Sequence, residues 1–350
     1  MVMLGDVLVA ILYSLAAPLV VLFHRPHAKW SYMEALSQRL MSHFTPLGID
    51  VVRFGFAFFG RVQRLAYWYV HADRLDSITT PITWYRPSAV VDTPAVKGLW
   101  YGDIKSPLQD SVVIFYVHGG GFGSGTADCM STGLFQPLLQ SLEQSSRRPV
   151  RLFSVEYDLA PQHPYPRAIN QAFDAYMWLL GQGVPSSNVV LCGDSAGGNA
   201  VLTLMQRGRR ENAPLPACAI LVSPWLDLTM TSHFYDVKTD IFTKRTIVAW
   251  RDVYLNNDVT KIHEASPGLQ SLDGLPPLMV MYGQTELMAG DIATFVAKAK
   301  RCHVEVTEYL HPYLYHDFII FPLGKPSRDA IHALAQFVVL KLDNHSNNTN

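Results

Sequence analysis

Residues 188–207 read NVVLCGDSAGGNAVLTLMQR. A short apolar run, Asn188–Cys192, meets Gly193-Asp194-Ser195-Ala196-Gly197, and a helix-forming stretch, Ala196–Arg207, begins at once. An apolar run of strand length feeding straight into a helix reads as a buried strand of a parallel sheet. The junction has the pattern G-x-S-x-G. A sharp strand-to-helix turn leaves no room for side chains beside the serine, and the small neighbours of Ser195 suit it. The helix N-terminus lends partial positive charge to any anion formed there. No lysine follows in the spacing of a phosphate-binding loop, so a nucleotide reading is set aside.

Working outward, Ser111–Val117 reads as a second buried strand, and it ends in His118-Gly119-Gly120-Gly121. Three glycines leave backbone N–H groups unobstructed, able to converge on a developing negative charge. Further strands are expected at Thr83–Arg86, Gly98–Gly102, Arg151–Tyr157, Ala217–Val222, Pro277–Tyr282 and Val304–Tyr309. Helices are expected at Ala168–Leu180, Leu287–Arg301 and Arg328–Leu342. Strands alternating with helices of this length predict an α/β fold, a mostly parallel sheet covered on both faces. The alternation defines a catalytic domain over 81–342, interrupted by a cap insertion at 227–266, with a polar tail at 343–350. Upstream, Tyr32–Phe44 and Ile49–Val70 carry apolar residues at helical spacing, which predicts a helical cap or lid over 25–80.

The 350 residues carry 28 Lys and Arg against 29 Asp and Glu, a formal net charge of −1, so no basic field recruits nucleic acid. Charged residues are 16% and apolar ones 49%, which excludes a disordered chain. The cysteines Cys129, Cys192, Cys218 and Cys302 lie far apart with no CxxC, which excludes a zinc ribbon or a disulfide-dense scaffold and leaves room for one or two bridges at most. Cys192 and Cys218 fall in apolar runs and read as core thiols.

From Val2 to Phe23 the only charge is Asp6. At 1.5 Å per residue this segment reaches about 33 Å, enough for a hydrocarbon core of about 30 Å. Residues 1–24 are therefore expected to anchor the chain in a membrane, that of the endoplasmic reticulum, in preference to forming a buried or interfacial amphipathic helix. Arg25 and Lys29 follow the segment and argue for a cytosolic domain. The sequons Asn344-His345-Ser346 and Asn347-Asn348-Thr349 argue for a lumenal one, and the lumen is the expectation.

A serine nucleophile needs a base, and the base an orienting acid, in the chain order Ser, Asp/Glu, His. His316, before the last helix, is placed for the base. His263 lies in the presumed cap and His303 opens a strand, while His311 is not distinguished by spacing alone. Glu286 and Asp291 both follow the strand Pro277–Tyr282. Glu286 is preferred, because Asp291 falls where a helix has begun and carries it off the sheet edge.

These motifs, with Tyr157–Pro166 (YDLAPQHPYP), Ser223–Leu228 (SPWLDL) and Tyr315–Phe318 (YHDF), resemble the hormone-sensitive-lipase-like branch of the α/β-hydrolases. That group includes arylacetamide deacetylase and the fungal steryl acetyl hydrolases. The resemblance implies an oxyanion hole from the N–H groups of Gly120, Gly121 and Ala196, with Gly119 shaping the loop and His118 orienting it. It implies no metal or organic cofactor, and a serine esterase removing short acyl groups, above all acetyl, from a lipophilic, sterol-like alcohol. The family's YRLAPEHPFP carries Asp158 and Gln162 here, and its D-x-L-x-D acid motif is looser around Glu286. Some members of the branch are receptors, lyases or tailoring esterases of secondary metabolism. A receptor would be expected to lose Ser195 or His316, and both are present.

Overall fold

In the structure, a computed structural model, residues 17, 20, 21, 27–44, 85–231, 237, 239–320 and 324–347 are described. Eight strands form one sheet: β1 (Ala89–Asp92), β2 (Lys97–Gly102), β3 (Val112–Val117), β4 (Val150–Glu156), β5 (Val189–Asp194), β6 (Cys218–Val222), β7 (Leu278–Gly283) and β8 (Val306–His311). Their order is β1-β2-β4-β3-β5-β6-β7-β8. β2 runs antiparallel to both neighbours, and every pair from β4 to β8 is parallel. The central strands β3, β5, β6 and β7 are buried at every residue, which is why they read as apolar runs, with Asp194 at the end of β5 the exception.

Helices with described bounds include α1 (Tyr32–Phe44), α2 (Gln136–Ser145), α3 (Arg167–Gly181), α4 (Ala196–Glu211), α5 (Lys244–Tyr254), α6 (Ala289–Arg301) and α7 (Lys325–Asn347). Alternate residues of β3 feed two separate core layers. Val113, Phe115 and Val117 pack with Ala172, Leu204 and Ile292 of α3, α4 and α6. Val112, Ile114 and Tyr116 pack with Leu138, Leu142, Leu334 and Val338 of α2 and α7. Each fully buried Leu, Ile or Phe contributes roughly 1.5–3 kcal/mol relative to exposure, so both faces clamp the sheet whose carboxyl edge carries the site.

Several expectations shift. The outer strand lies at Ala89–Asp92, not Thr83–Arg86: Tyr85 and Arg86 are outside any strand, whereas Ala89 faces Trp100 across an antiparallel ladder. Pairing with β2, which no local pattern reports, decides this edge. The sequence reading missed α2, which starts with proline in its first turn after a π-helical turn over Ser131–Phe135. The region 227–266 contains α5, capped by Thr243 Oγ1, which accepts from the Thr246 N–H at 3.2 Å. The closing helix runs through Asn347 rather than ending at Leu342, so most of the expected tail is helical. All four cysteines are free.

Of the expected anchor, only Ala17, Val20 and Val21 are described, and the expected helix Ile49–Val70 lies outside the described residues. Ala17 and Val21 are buried, Val21 in the layer beneath α7. Among the described residues no helix is long and apolar enough to cross a membrane.

Candidate active site

Loops leaving the carboxyl ends of β3, β5, β6, β7 and β8 meet at one edge of the sheet, where an open α/β sheet offers its crevice. Ser195 stands between β5 and α4 with φ +51° and ψ −117°, a conformation rare for a residue with a side chain. The strain is held from both sides: the Ser195 N–H donates to the Val222 carbonyl at 2.8 Å, and its carbonyl accepts from the Trp225 N–H at 2.9 Å. A Cβ on Gly197 would collide with the Val117 carbonyl, so β3 and the start of α4 approach this closely only with glycine there.

His316 follows β8, and its Nε2 lies 2.9 Å from Ser195 Oγ. Glu286, fully buried after β7, brings Oε2 to 3.8 Å from His316 Nδ1. That oxygen also accepts from Ser223 Oγ at 2.7 Å and from the Gly283 N–H at 3.4 Å. The ring–carboxylate separation is longer than a hydrogen bond, as is common before substrate tightens such sites. Asp291 sits in the first turn of α6 and lines a different cavity with Leu226, Thr294 and Lys298. Of the other histidines, His303 follows α6, His263 lies beyond α5, and His311 closes β8 against Tyr313 and Phe318.

The glycine loop faces the same space. Gly120 and Gly121 line one cavity with Ser195, and both have positive φ, +102° and +61°. Gly119 instead turns its N–H to the Asp194 carboxylate at 2.9 Å, while Tyr116 donates to the same oxygen at 2.5 Å. Ala196 is the first residue of α4, so its N–H is among those a helix leaves without an intrahelical acceptor. His118 is wholly buried, stacks on Tyr157 at 4.1 Å, and its Nδ1 lies 2.8 Å from the Gly119 carbonyl. Burial lowers it to about 4, so the ring is neutral and its contacts are with the loop backbone, away from Ser195.

Burial alone would lower the His316 imidazolium, but the carboxylates of Asp317, Glu286 and Asp240 outweigh it and raise it to about 10. Burial raises Glu286 to about 8, against the opposing charge of His316. Only the neutral ring can take a proton from Ser195, so a raised value moves the acid limb of the pH profile upward. For a short acetyl ester, kcat/KM should keep climbing well above neutrality. A plateau reached by pH 7 would show that these carboxylates do not hold the charge on the ring.

Four residues that the sequence reading gave no role complete the site. Ser223, φ +41°, donates to Glu286, and its oxygen also accepts from the Asp317 N–H at 3.0 Å. It lies in the SPWLDL segment just past a strand, a signal that could have found it. Asp240 accepts from the N–H groups of Ile241 at 2.7 Å, Leu287 at 2.6 Å and His316 at 3.0 Å, tying the cap segment to the acid and histidine loops. Nothing in the local sequence marks it. Trp250 of α5 packs where a Cβ on Gly121 would fall, and Asp317 enters the cavity beside His316. From the other side of the chain, α1 contributes Met41 to the lining, and Gln38 donates to the Asp240 carbonyl at 2.8 Å. The altered YDLAPQHPYP segment has its own ion pair, Asp158 with Arg167 at 2.8 Å. Among the described residues no group of three or more His, Cys, Asp or Glu is arranged to hold a metal ion.

Residues 114–320 match the sequence profile of an α/β-hydrolase-fold family. An esterase of Acinetobacter venetianus is 33% identical over 263 residues, covering 73% of this chain and 84% of its own. An acetyl-hydrolase of Streptomyces hygroscopicus is 29% identical, over 67% and 78%. A putative steryl acetyl hydrolase of Schizosaccharomyces pombe is 21% identical, over 57% of each chain. The solved structure of an esterase/lipase from an uncultured bacterium superposes with a TM-score of 0.72 at 25% identity, covering 90% of this chain and all of that one. A hormone-sensitive lipase from a metagenome library shares the fold, with a TM-score of 0.71 at 22% identity over 87% and 97%.

Proposed function

The chain belongs to the hormone-sensitive-lipase-like branch of the α/β-hydrolases and is a carboxylesterase, and we propose that it removes short acyl groups, above all acetyl, from a lipophilic alcohol of sterol-like character. The observation that carries the reaction is the 2.9 Å contact between Ser195 Oγ and His316 Nε2 at the carboxyl edge of the sheet. In this reading Ser195 Oγ attacks the ester carbonyl while its proton passes to His316 Nε2. The oxyanion is held by the N–H groups of Gly120, Gly121 and Ala196. The tetrahedral adduct collapses, the alcohol leaves with the proton from Nε2, and an acyl-serine remains. Water then repeats the sequence with His316 as base, releasing the acid. Glu286 keeps the proton on Nδ1 and stabilises the imidazolium.

The apolar lining supports a lipophilic substrate: Met41, Trp225, Phe242, Ile247, Trp250 and Met288 face the cavity. The acetyl-hydrolase relatives support a short acyl group, and the fission-yeast relative supports a sterol-like alcohol. Turnover of acetyl, butyryl and octanoyl esters of one alcohol tests the acyl preference. Acetyl should be fastest, and faster cleavage of the octanoyl ester would overturn it.

Attachment to the endoplasmic-reticulum membrane through Val2–Phe23, with the catalytic domain in the lumen, rests on the apolar run and the two sequons. The expected result is retention in the pellet after alkaline carbonate extraction, with a glycosidase-sensitive mass. Release of the intact chain, or an unchanged mass, would overturn the anchor or the lumenal placement respectively.

A further inference from the structure

We propose that Asp317 determines specificity for the alcohol: its carboxylate accepts a hydrogen bond from a hydroxyl or protonated amine carried next to the scissile ester oxygen. The inference rests on the esterase reading of this site and narrows its substrate class. Asp317 Oδ2 lies 3.2 Å from His316 Nε2, the nitrogen that also lies 2.9 Å from Ser195 Oγ. Glu286, by contrast, approaches the ring at Nδ1. The two carboxylates therefore stand at opposite nitrogens, and only Asp317 stands where the alcohol departs.

Asp317 is 5% exposed, and Oδ1 has no hydrogen-bond partner among the described residues. The side chain lines the cavity among apolar neighbours such as Phe242, Trp250, Met288 and Ile320. Its backbone is fixed, with φ +55° and the N–H given to Ser223 Oγ. A buried carboxylate without a donor is unfavourable, so a group that supplies one on binding gains selectively. In the neutral ring that takes the Ser195 proton, Nε2 has only a lone pair and offers Asp317 no proton. A hydroxyl or protonated amine on the ligand supplies the donor that Oδ1 lacks among the described residues.

The geometry sets where the donor sits. To receive its proton, the leaving oxygen must come within about 2.6–3.2 Å of Nε2. Asp317 Oδ2 is already 3.2 Å from the same atom, so the two oxygens are close neighbours around one nitrogen. A donor on the alcohol carbon adjacent to the ester-bearing carbon spans that gap. An alcohol that is apolar throughout leaves Asp317 Oδ1 without a donor.

The test compares acetyl esters of similar size: 2-hydroxyethyl acetate, 2-(dimethylamino)ethyl acetate in its protonated form, acetylcholine and propyl acetate. Each kcat/KM is normalised to that ester's uncatalysed hydroxide rate. The wild type should prefer at least one of the two donor-bearing esters over propyl acetate by roughly tenfold or more, since sites built to bind a polar group reject analogues that lack it. Asp317→Ala should bring that ratio near one, with fluorophosphonate labelling and thermal melting showing an intact fold. Should Asp317→Ala fail to fold, Asp317→Asn reads the same ratios, and the amine arm should collapse there. The same preference in wild type and variant, or none in the wild type, overturns the proposal. Acetylcholine matching the protonated amine would show recognition of charge without a hydrogen bond, which also overturns it. Absence of turnover with every ester, propyl acetate included, would instead strike the esterase reading itself.

Discussion

Ser195→Ala should abolish ester hydrolysis and fluorophosphonate labelling while leaving the melting temperature within a few degrees of the parent. Among the described residues the hydroxyl's hydrogen bond is to His316 Nε2, so its removal costs little packing, and alanine keeps the small side chain that the turn demands. The strained turn itself is held by backbone bonds to Val222 and Trp225, which the substitution does not touch. Chemistry is another matter. Without Oγ there is no acyl-enzyme, and water would have to attack directly beside an imidazole placed for a different atom. In serine hydrolases that act through such a unit, loss of the nucleophile costs about 10⁶ in kcat, the residue coming from oxyanion stabilisation and binding. Mass spectrometry of the probe adduct checks the result. An adduct that persists on another serine of the variant would show that the nucleophile lies elsewhere.

The parts of this molecule legible in the sequence are those whose cause is local. β3 and the start of β5 are apolar because both faces are covered, and Gly193 and Gly197 are glycine because the turn leaves no space for a Cβ. The strands β6 and β7 were legible on the same ground. What the sequence hid depends on distant partners. β1 is a strand because β2 lies beside it, and Asp240 gathers three N–H groups from loops 47 and 76 residues away and from its neighbour. Ser223 ties Glu286 to Asp317 through one hydroxyl, a link between three loops that no single stretch displays. The cap was legible only as an interruption, since the helix α5 and the tryptophan it brings over Gly121 follow from packing against the glycine loop.

Glu286→Gln should lower kcat by up to about 10⁴-fold, by analogy with triad acids, whereas Asp291→Asn should change it by less than about threefold. Four carboxylates lie near enough in sequence or space to be considered, and position separates them. Asp317 stands at Nε2, the nitrogen that must exchange its proton with Ser195 and the leaving alcohol, so it cannot hold the opposite tautomer. Asp240 hydrogen-bonds only the His316 backbone N–H, which fixes the loop; its charge acts on the ring through space, with no bond to Nδ1 to set the tautomer. Asp291 belongs to a helix and faces the second cavity, beside Lys298. Glu286 alone among them is near Nδ1, at 3.8 Å, with Ser223 Oγ and the Gly283 N–H directing its oxygen there. When the ring takes the serine proton, opposite charges form in a buried place, and the attraction draws carboxylate and imidazolium together. Glutamine keeps the shape and can still accept from Ser223, so the fold should survive. It carries no charge to set against the imidazolium, and its amide can present a donor to Nδ1 and favour the wrong tautomer. The loss should therefore appear in kcat with KM little changed, at matched melting temperature. If Asp291→Asn proved the more damaging of the two, the acid would have to be reassigned to the first turn of α6.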